Sequence, residues 1–141
     1  MRQVRIRIVF VVSELDPRVR ELADGTNFAA FTVNLPSGRA MTHVVWVDSE
    51  GDELRVNTEV HRAKFKAVEK DPRVTLAIWD AANPYSFAEV RGRVARTTRG
   101  PEARGHIDTL CQKYHGEDYP EANITSERVI LHIAPEIQHV R

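Results

Sequence analysis

The stretch RAMTHVVWVDSEGDELRVNTEV, residues 39–60, decides the fold class because it holds two strand-like runs joined by a short turn. Residues 39–48 carry apolar side chains on both sides, as in a strand that lines a core on one face and a ligand or partner on the other. Residues 54–60 alternate between apolar and polar side chains, and SEGDE between the runs has the composition of a turn. The two runs predict a β-hairpin.

The sequence on either side adds more strands and few helices. Apolar alternation or short apolar runs predict strands at residues 4–12, 27–35, 74–79, 85–97 and 128–133. Helical spacing and capping residues predict short helices at about residues 17–24, 62–70 and 101–115. Most neighbouring strands lack the crossover helix that a parallel sheet needs. The pattern therefore predicts a mainly β fold, an antiparallel barrel or highly curved sheet of six to seven strands with two to four short helices.

Length and composition exclude several classes of function. The 141 residues predict a single domain, residues 1–141, and the formal net charge is zero, so no global field favours nucleic acid or an anionic membrane. The only cysteine, Cys111, excludes an internal disulfide and fits a reducing compartment. The six histidines show no ligand spacing, and no segment has the length of a signal or membrane-spanning sequence. We expect a cytoplasmic protein without a metal site.

Lys64 lies where the helix around residues 62–70 should pack. Ala63, Lys64, Ala67 and Val68 fall within one arc of about 140°. An ammonium group in such a seam must reach an anion, shift its pKa or extend along the surface to water. Arg62 stands near the helix start, where free backbone N–H groups already favour a phosphate. With the polar strand-end residues Asn57 and Thr58, the segment predicts a phosphate site; the alternative is that Lys64 and Arg62 are simply solvated.

Five blocks in order carry a resemblance to a known family. They are GRAMTHVVWVD, ELRVNTEVHRAKFKAVEKDPRVTLAIWD, NPYSFAEVRGRV, HIDTLCQKYHGEDYP and RVILHIAPE. Over about residues 15–140 the chain resembles flavin and deazaflavin oxidoreductases of the pyridoxamine-phosphate-oxidase-like split-barrel superfamily, in particular the branch that uses coenzyme F420. Residues 1–14 are not covered. The resemblance implies a homodimer of antiparallel split β-barrels, with the cofactor in a groove at the subunit interface.

The resemblance also implies roles for individual residues. Arg62 and Lys64 would bind the cofactor phosphate, with Asn57 and Thr58 in support. The end of one strand would lie along the ring system, and a later block would approach the site from the partner subunit. The strand residues are Val44, Val45 and Trp46, and the later block is Asn83, Pro84 and Tyr85.

The resemblance therefore implies an F420-dependent oxidoreductase that transfers a hydride between the deazaflavin and a small organic substrate. His43 and Tyr85 are the candidate proton donors, although His43 has an equally plain interpretation as a hydrogen-bonded core or interface histidine. Ala40 and Val44 replace prolines that are common in such proteins, and His43 replaces a small polar residue, which leaves the choice between F420 and flavin mononucleotide (FMN) open. A third alternative is a non-catalytic carrier of a flavin, haem or similar planar ligand.

Overall fold

The computed structural model describes residues 13–141, and its centre is one seven-stranded sheet in which every pair of neighbouring strands is antiparallel. The strands are β1 (Ala29–Asn34), β2 (Ala40–Val45), β3 (Asp48–Glu50), β4 (Glu53–Glu59), β5 (Arg73–Asp80), β6 (Asn83–Arg99) and β7 (Arg128–Val140). The helices are α1 (Pro17–Asp24), α2 (Ala63–Lys70) and α3 (Pro101–His115), with a 3-10 turn at Glu121–Asn123. The predicted mainly β, antiparallel fold is confirmed. The strand expected at residues 4–12 lies outside the described residues.

The sheet curls into a barrel that stays open on one side. Its strand order is β2-β1-β5-β6-β7-β4-β3, so β2 and β3 stand at opposite ends of the hydrogen-bonded ladder. Only Trp46 and Val47 separate these two strands in the chain, and three Cα steps span about 11 Å at most. The two ends of the sheet must therefore lie near each other without pairing. This gap is the split in the barrel.

The hairpin predicted from residues 39–48 and 54–60 is wrong for most of its length. β2 pairs with β1 instead, from Ala29 opposite Val45 to Asn34 opposite Ala40. Only the three residues of β3 pair with β4. The alternation along residues 39–48 shows that a strand exists but does not say which strand lies beside it, because pairing depends on the closure of the whole sheet.

Several elements follow the sequence signals closely. In α1, the Oδ1 atom of Asp16 accepts a hydrogen bond of 2.8 Å from the backbone N–H of Arg18. α3 ends at Gly116, whose φ of 74° is left-handed. The register between β6 and β7 shifts between Arg91 and Gly92, and a Cβ atom on Gly92 would lie 2.2 Å from the carbonyl oxygen of Ala134. The bend predicted at Gly92 is therefore a bulge where two backbones touch.

The packing face of α2 is shifted by one residue from the predicted arc. Its buried residues are Phe65, Ala67 and Val68, whereas Ala63 is exposed. The large Phe65 ring takes the core side, so the small Ala63 side chain turns outward. Lys64 remains between Ala67 and Val68 in the helical projection and is half-buried. The predicted seam is therefore real, but it runs from Ala67 to Phe65, with Lys64 and Val68 between them, and leaves Ala63 outside.

The barrel core and α3 cover opposite faces of the same strands. Val129, Leu131 and Ile133 of β7 belong to the main apolar core, while the alternating residues of its first half are also buried. On that second face α3 packs with its own apolar stripe, including Ile107 and Leu110. The N-terminal ends of β7 and α2, the C-terminal end of β4 and the stripe of α3 meet at one place.

Candidate functional site

A cavity of about 300 Å³ opens where these elements meet, next to the split in the barrel. Seven of the ten residues predicted to bind a cofactor line it: Val44, Val45, Trp46, Asn57, Thr58, Arg62 and Lys64. Five lining residues were not predicted: Phe28, Ile107, Leu110, Tyr119 and Arg128. The fold therefore brings the end of β2, the end of β4 and the start of α2 to one cavity.

One end of the cavity is cationic. Arg62, Lys64 and Arg128 all line it. Burial lowers the pKa of the Lys64 ammonium group, and the positive charges of Arg62 and Arg128 lower it further. Burial also lowers the pKa of Arg128, only partly opposed by Tyr119 and Glu59. Like charges held together in a partly dry site favour the binding of an anion, which would relieve both effects.

A single buried carboxylate, that of Glu59, lies behind these cations. Its Oε1 atom accepts hydrogen bonds from the backbone N–H groups of Thr125 (2.7 Å) and Ser126 (2.8 Å). Burial would raise the pKa of Glu59, but these bonds, together with the charge of Arg128, hold it below its ordinary value. Its Oε2 atom lies 3.5 Å from Nη1 of Arg128 and 3.8 Å from Nη2 of Arg62, and it accepts no hydrogen bond from any described residue. Three cations and one carboxylate leave the cluster with a formal charge of +2.

Asn57 holds Arg128 rather than facing the cavity with a free amide. The Nε–H of Arg128 donates to Oδ1 of Asn57 at 2.8 Å, and Nδ2 of Asn57 donates to the carbonyl oxygen of Ala103 at 3.0 Å. The Arg128 guanidinium also lies 5.3 Å from the ring centroid of Tyr119. These contacts fix a long side chain that would otherwise lose considerable rotamer freedom on binding an anion.

The other end of the cavity is apolar and aromatic. Val44 is 65% exposed at the end of β2, and Trp46 follows in the split between β2 and β3. The Trp46 ring stacks on Tyr114, and Phe28 stacks on Tyr114 with ring centroids 5.5 Å apart. Burial raises the pKa of the Tyr114 hydroxyl to about 12, so this group stays protonated. A flat surface of this kind suits a planar ring system.

Four predicted site residues do not line the cavity of the single chain. Asn83, Pro84 and Tyr85 lie at the exposed start of β6, where Tyr85 is 86% exposed. His43 is exposed on β2, opposite Phe31, and does not lie among core residues. The interpretation of His43 as a core histidine is therefore wrong, and its interpretation as an interface histidine stays a prediction. The roles of Tyr85 and His43 as proton donors, and the approach of residues 83–85 from a partner subunit, stay predictions.

The residues that were missed carry weak local signals. Arg128 is the first residue of the apolar run RVILHI, and a charged residue at such a position usually reads as the end of a strand. It reaches the cavity because β7 pairs with β4, with Arg128 directly opposite Glu59. Tyr119 lies in the loop after α3, and only the three-dimensional path of that loop brings it over Arg128.

Residues 13–141 contain no group of three or more histidine, cysteine, aspartate or glutamate side chains arranged to hold a metal ion. None of their helices combines the length and apolar character needed to cross a membrane. Cys111 is buried in α3, and burial raises the pKa of its thiol, which makes it a packing residue.

Comparison with protein-family models gives a match over residues 15–139, nearly the whole described chain, to the family described as pyridoxamine 5'-phosphate oxidase. The chain belongs to this family. The predicted membership of the pyridoxamine-phosphate-oxidase-like split-barrel superfamily is thereby confirmed. A comparison with curated proteins finds no match.

Solved structures share the fold of this family member at low sequence identity. An F420 reductase is 22% identical, with a TM-score of 0.77 and alignment over 89% of this chain and 98% of that one. A conserved hypothetical protein from Mycobacterium tuberculosis is 16% identical, with a TM-score of 0.69 over 96% and 89% of the two chains. A putative pyridoxamine 5'-phosphate oxidase from Listeria innocua is 17% identical, with a TM-score of 0.56 over 80% and 86%. At these identities the similarities are similarities of fold alone.

Proposed function

We propose that this protein is an oxidoreductase that binds coenzyme F420 and transfers a hydride between the deazaflavin and a small organic substrate. The observation that carries the proposal is the cavity itself, with three cations at one end and an aromatic, apolar wall at the other. A planar ring system that carries a phosphate group needs both features in one cavity. The fold shared with an F420 reductase supports the same cofactor class.

The residues of the chain fit such a cofactor by their chemistry. Arg62, Lys64 and Arg128 would hold its phosphate, and Trp46 with Val44 and Val45 would lie along its ring. The bound deazaflavin would supply the hydride chemistry. The protein would contribute binding, orientation and exclusion of water, which explains why no strong acid–base motif stands out in the sequence.

FMN is the second candidate cofactor, and the charge of the anion site favours it specifically. The cluster of three cations and Glu59 has a formal charge of +2, which matches the dianionic monophosphate of FMN, whereas the phosphodiester of F420 carries one charge at that position. FMN would support the same class of reaction. The third candidate, a non-catalytic carrier of a flavin, haem or similar planar ligand, would bind without turnover.

The proposal includes an oligomeric state and a cellular location. We expect a homodimer in which Asn83, Pro84 and Tyr85 of each subunit reach the cavity of the other, since these residues are exposed and lie outside the cavity of their own chain. A cytoplasmic location remains a prediction and rests on the single buried cysteine.

The test combines spectra with turnover. The absorption spectrum of the purified protein shows whether FMN copurifies, and titration with F420 and FMN gives the affinity for each. Reduced cofactor is then mixed anaerobically with small unsaturated acceptors, and its reoxidation is followed by absorbance. Tight binding of F420 with acceptor-dependent reoxidation supports the proposal. Preference for FMN supports the second candidate, and binding of either cofactor without turnover of any acceptor supports a carrier.

A further inference from the structure

A line of buried and partly buried hydrogen bonds runs from the cavity to the inner side of α3. It begins with Arg128, whose Nε–H donates to Asn57, and continues from Nδ2 of Asn57 to Nδ1 of His106 at 3.0 Å. On the other side of the ring, Nε2 of His106 lies 3.1 Å from both carboxylate oxygens of Asp48. Asp48 also accepts from Nε (2.9 Å) and Nη2 (2.7 Å) of Arg55. Four different elements, β7, β4, α3 and β3, contribute to this line.

The hydrogen-bond partners of Asn57 determine where the protons lie on the Asn57 amide and the His106 ring. A guanidinium only donates and a backbone carbonyl only accepts, so Asn57 must turn Oδ1 to Arg128 and Nδ2 to Ala103. Nδ2 therefore also donates to Nδ1 of His106, and this ring nitrogen carries no proton. The proton of the neutral imidazole must lie on Nε2, where it donates to Asp48.

We propose that His106 is a positioning residue for the anion site. Its Nε2–H tautomer, held by Asp48, leaves Nδ1 free to accept from Nδ2 of Asn57, so that His106 and the Ala103 carbonyl together orient Asn57, which in turn holds the guanidinium of Arg128 at the cavity wall. The inference rests on the proposed function, because the anion that Arg128 would bind is the cofactor phosphate.

The arrangement matters because Arg128 has a competing partner. Oε2 of Glu59 lies 3.5 Å from Nη1 of Arg128 and lacks a hydrogen bond from any residue of the described chain. Released from Asn57, the guanidinium would turn onto this carboxylate and satisfy it. The charge of Arg128 would then be neutralised by Glu59, and the cavity would lose one of its three positive charges.

The test has a spectroscopic arm and a binding arm. Long-range ¹H–¹⁵N spectra of the wild type report which ring nitrogen of His106 is protonated, and the Arg128 Nε–H signal reports its hydrogen bond to Asn57. The variants are His106→Leu, which removes both ring contacts, and His106→Gln, whose amide can accept from Asn57 and donate to Asp48. The control is His132→Gln, since His132 is equally buried, on β7, but contacts Thr98 and Arg96 instead.

We expect the Nε2–H tautomer at neutral pH, a shifted and rapidly exchanging Arg128 Nε–H in His106→Leu, and recovery in His106→Gln. Affinity for the cofactor that the wild type binds should fall about tenfold or more in His106→Leu, by analogy with other supporting hydrogen bonds, and stay unchanged in His132→Gln. A proton on Nδ1, or an Arg128 signal unchanged by His106→Leu, overturns the inference.

The failure of this inference can be told apart from failure of the proposed function. If the wild type binds neither F420 nor FMN, the proposed function is contradicted and the spectroscopic arm alone decides the role of His106. If the wild type binds a cofactor and His106→Leu binds it equally well, the proposed function stands and the positioning role is overturned.

Discussion

The rings of Trp46 and Tyr114 stack with their centroids 5.1 Å apart and their planes 8° from parallel. Trp46 stands in the split of the barrel and lines the cavity, while Tyr114 belongs to the last turn of α3. The stack therefore joins the open edge of the barrel to the helix that covers β7. It also gives the cavity an aromatic wall whose optical signal should respond to a ligand.

Trp46 should report on cofactor binding. A ring system bound against it would quench its fluorescence, so Trp46→Phe should remove most of the change in tryptophan emission seen on titration. Trp79→Phe is the control, because Trp79 does not line the cavity. An equal loss of signal in both variants, or a full signal in Trp46→Phe, would contradict the placement of the ligand.

The close approach of Gly92 to the Ala134 carbonyl should make the free energy of unfolding sensitive to a side chain at position 92. Gly92→Ala would push a methyl group against the Ala134 carbonyl, which is backbone and cannot move aside, and should lower the free energy of unfolding by about 1–3 kcal/mol. Gly105→Ala, in open space within α3, should instead raise it by about 0.5–1 kcal/mol. Urea denaturation of both variants measures these changes. Equal effects at the two positions would argue against the bulge.

The contrast between these two glycines shows what local sequence can predict. The bend at Gly92, the cap at Asp16 and the end of α3 at Gly116 are all encoded within a few residues, and each lies where its signal indicates. Strand pairing is not local. Residues 40–45 pair with β1 rather than β4, and no pattern inside that run distinguishes the two outcomes.

Site residues, like strand pairing, can be predicted only where a local pattern carries the signal. Lys64 could be found because a cation on the packing side of a helix is unusual over a short window, and Arg62 because it stands near the helix start, where backbone N–H groups favour an anion. Arg128 lies 66 positions beyond Arg62 and enters the site only through the β4–β7 register, which places it opposite Glu59. His106 and Asp48 look like ordinary helix and turn residues until α3 packs across β4. Residues that reach the site only through long-range pairing cannot be predicted from local sequence patterns.

The ion pair of Asp48 predicts a pH dependence of stability. Burial would raise the pKa of Asp48, but hydrogen bonds from His106 and Arg55 hold it below its ordinary value of 3.8. A carboxylate with a lowered folded-state pKa stabilises the fold above the unfolded-state value, and the contribution is lost as pH falls from there through the folded-state pKa. Asp48→Asn should therefore cost about 1.5–3 kcal/mol at neutral pH.

That cost should shrink below about pH 4, because the wild type then loses the same charge. Urea denaturation of both proteins from neutral pH to about pH 2 measures the difference. A cost that is independent of pH would show that the charge of Asp48 does not contribute. The exposed Asp118→Asn is the control and should cost little at any pH.

Lys64 predicts a second pH effect, on binding. Burial and the charges of Arg62 and Arg128 hold the pKa of Lys64 below 10.5 in the free protein, and a bound anion would raise it. Affinity for a phosphate-bearing cofactor should therefore decline as pH rises through the lowered pKa, because binding then requires uptake of a proton. Lys64→Arg should lack this alkaline decline, since a guanidinium keeps its charge. Titrations across the alkaline range compare the two proteins, and an identical decline in both would contradict the assignment to Lys64.

The most direct test of the account is the affinity of the wild type, Lys64→Ala and Lys66→Ala for F420 and for FMN, measured by fluorescence titration at neutral pH. Lys64 lines the cavity, whereas Lys66 is exposed on the same helix. Loss of one charge-assisted contact to phosphate should weaken binding of the preferred cofactor by about 1.5–3 kcal/mol in Lys64→Ala. Lys66→Ala should change it by less than about 0.5 kcal/mol. Equal affinities for wild type and Lys64→Ala would contradict the claim that this cavity holds a cofactor phosphate.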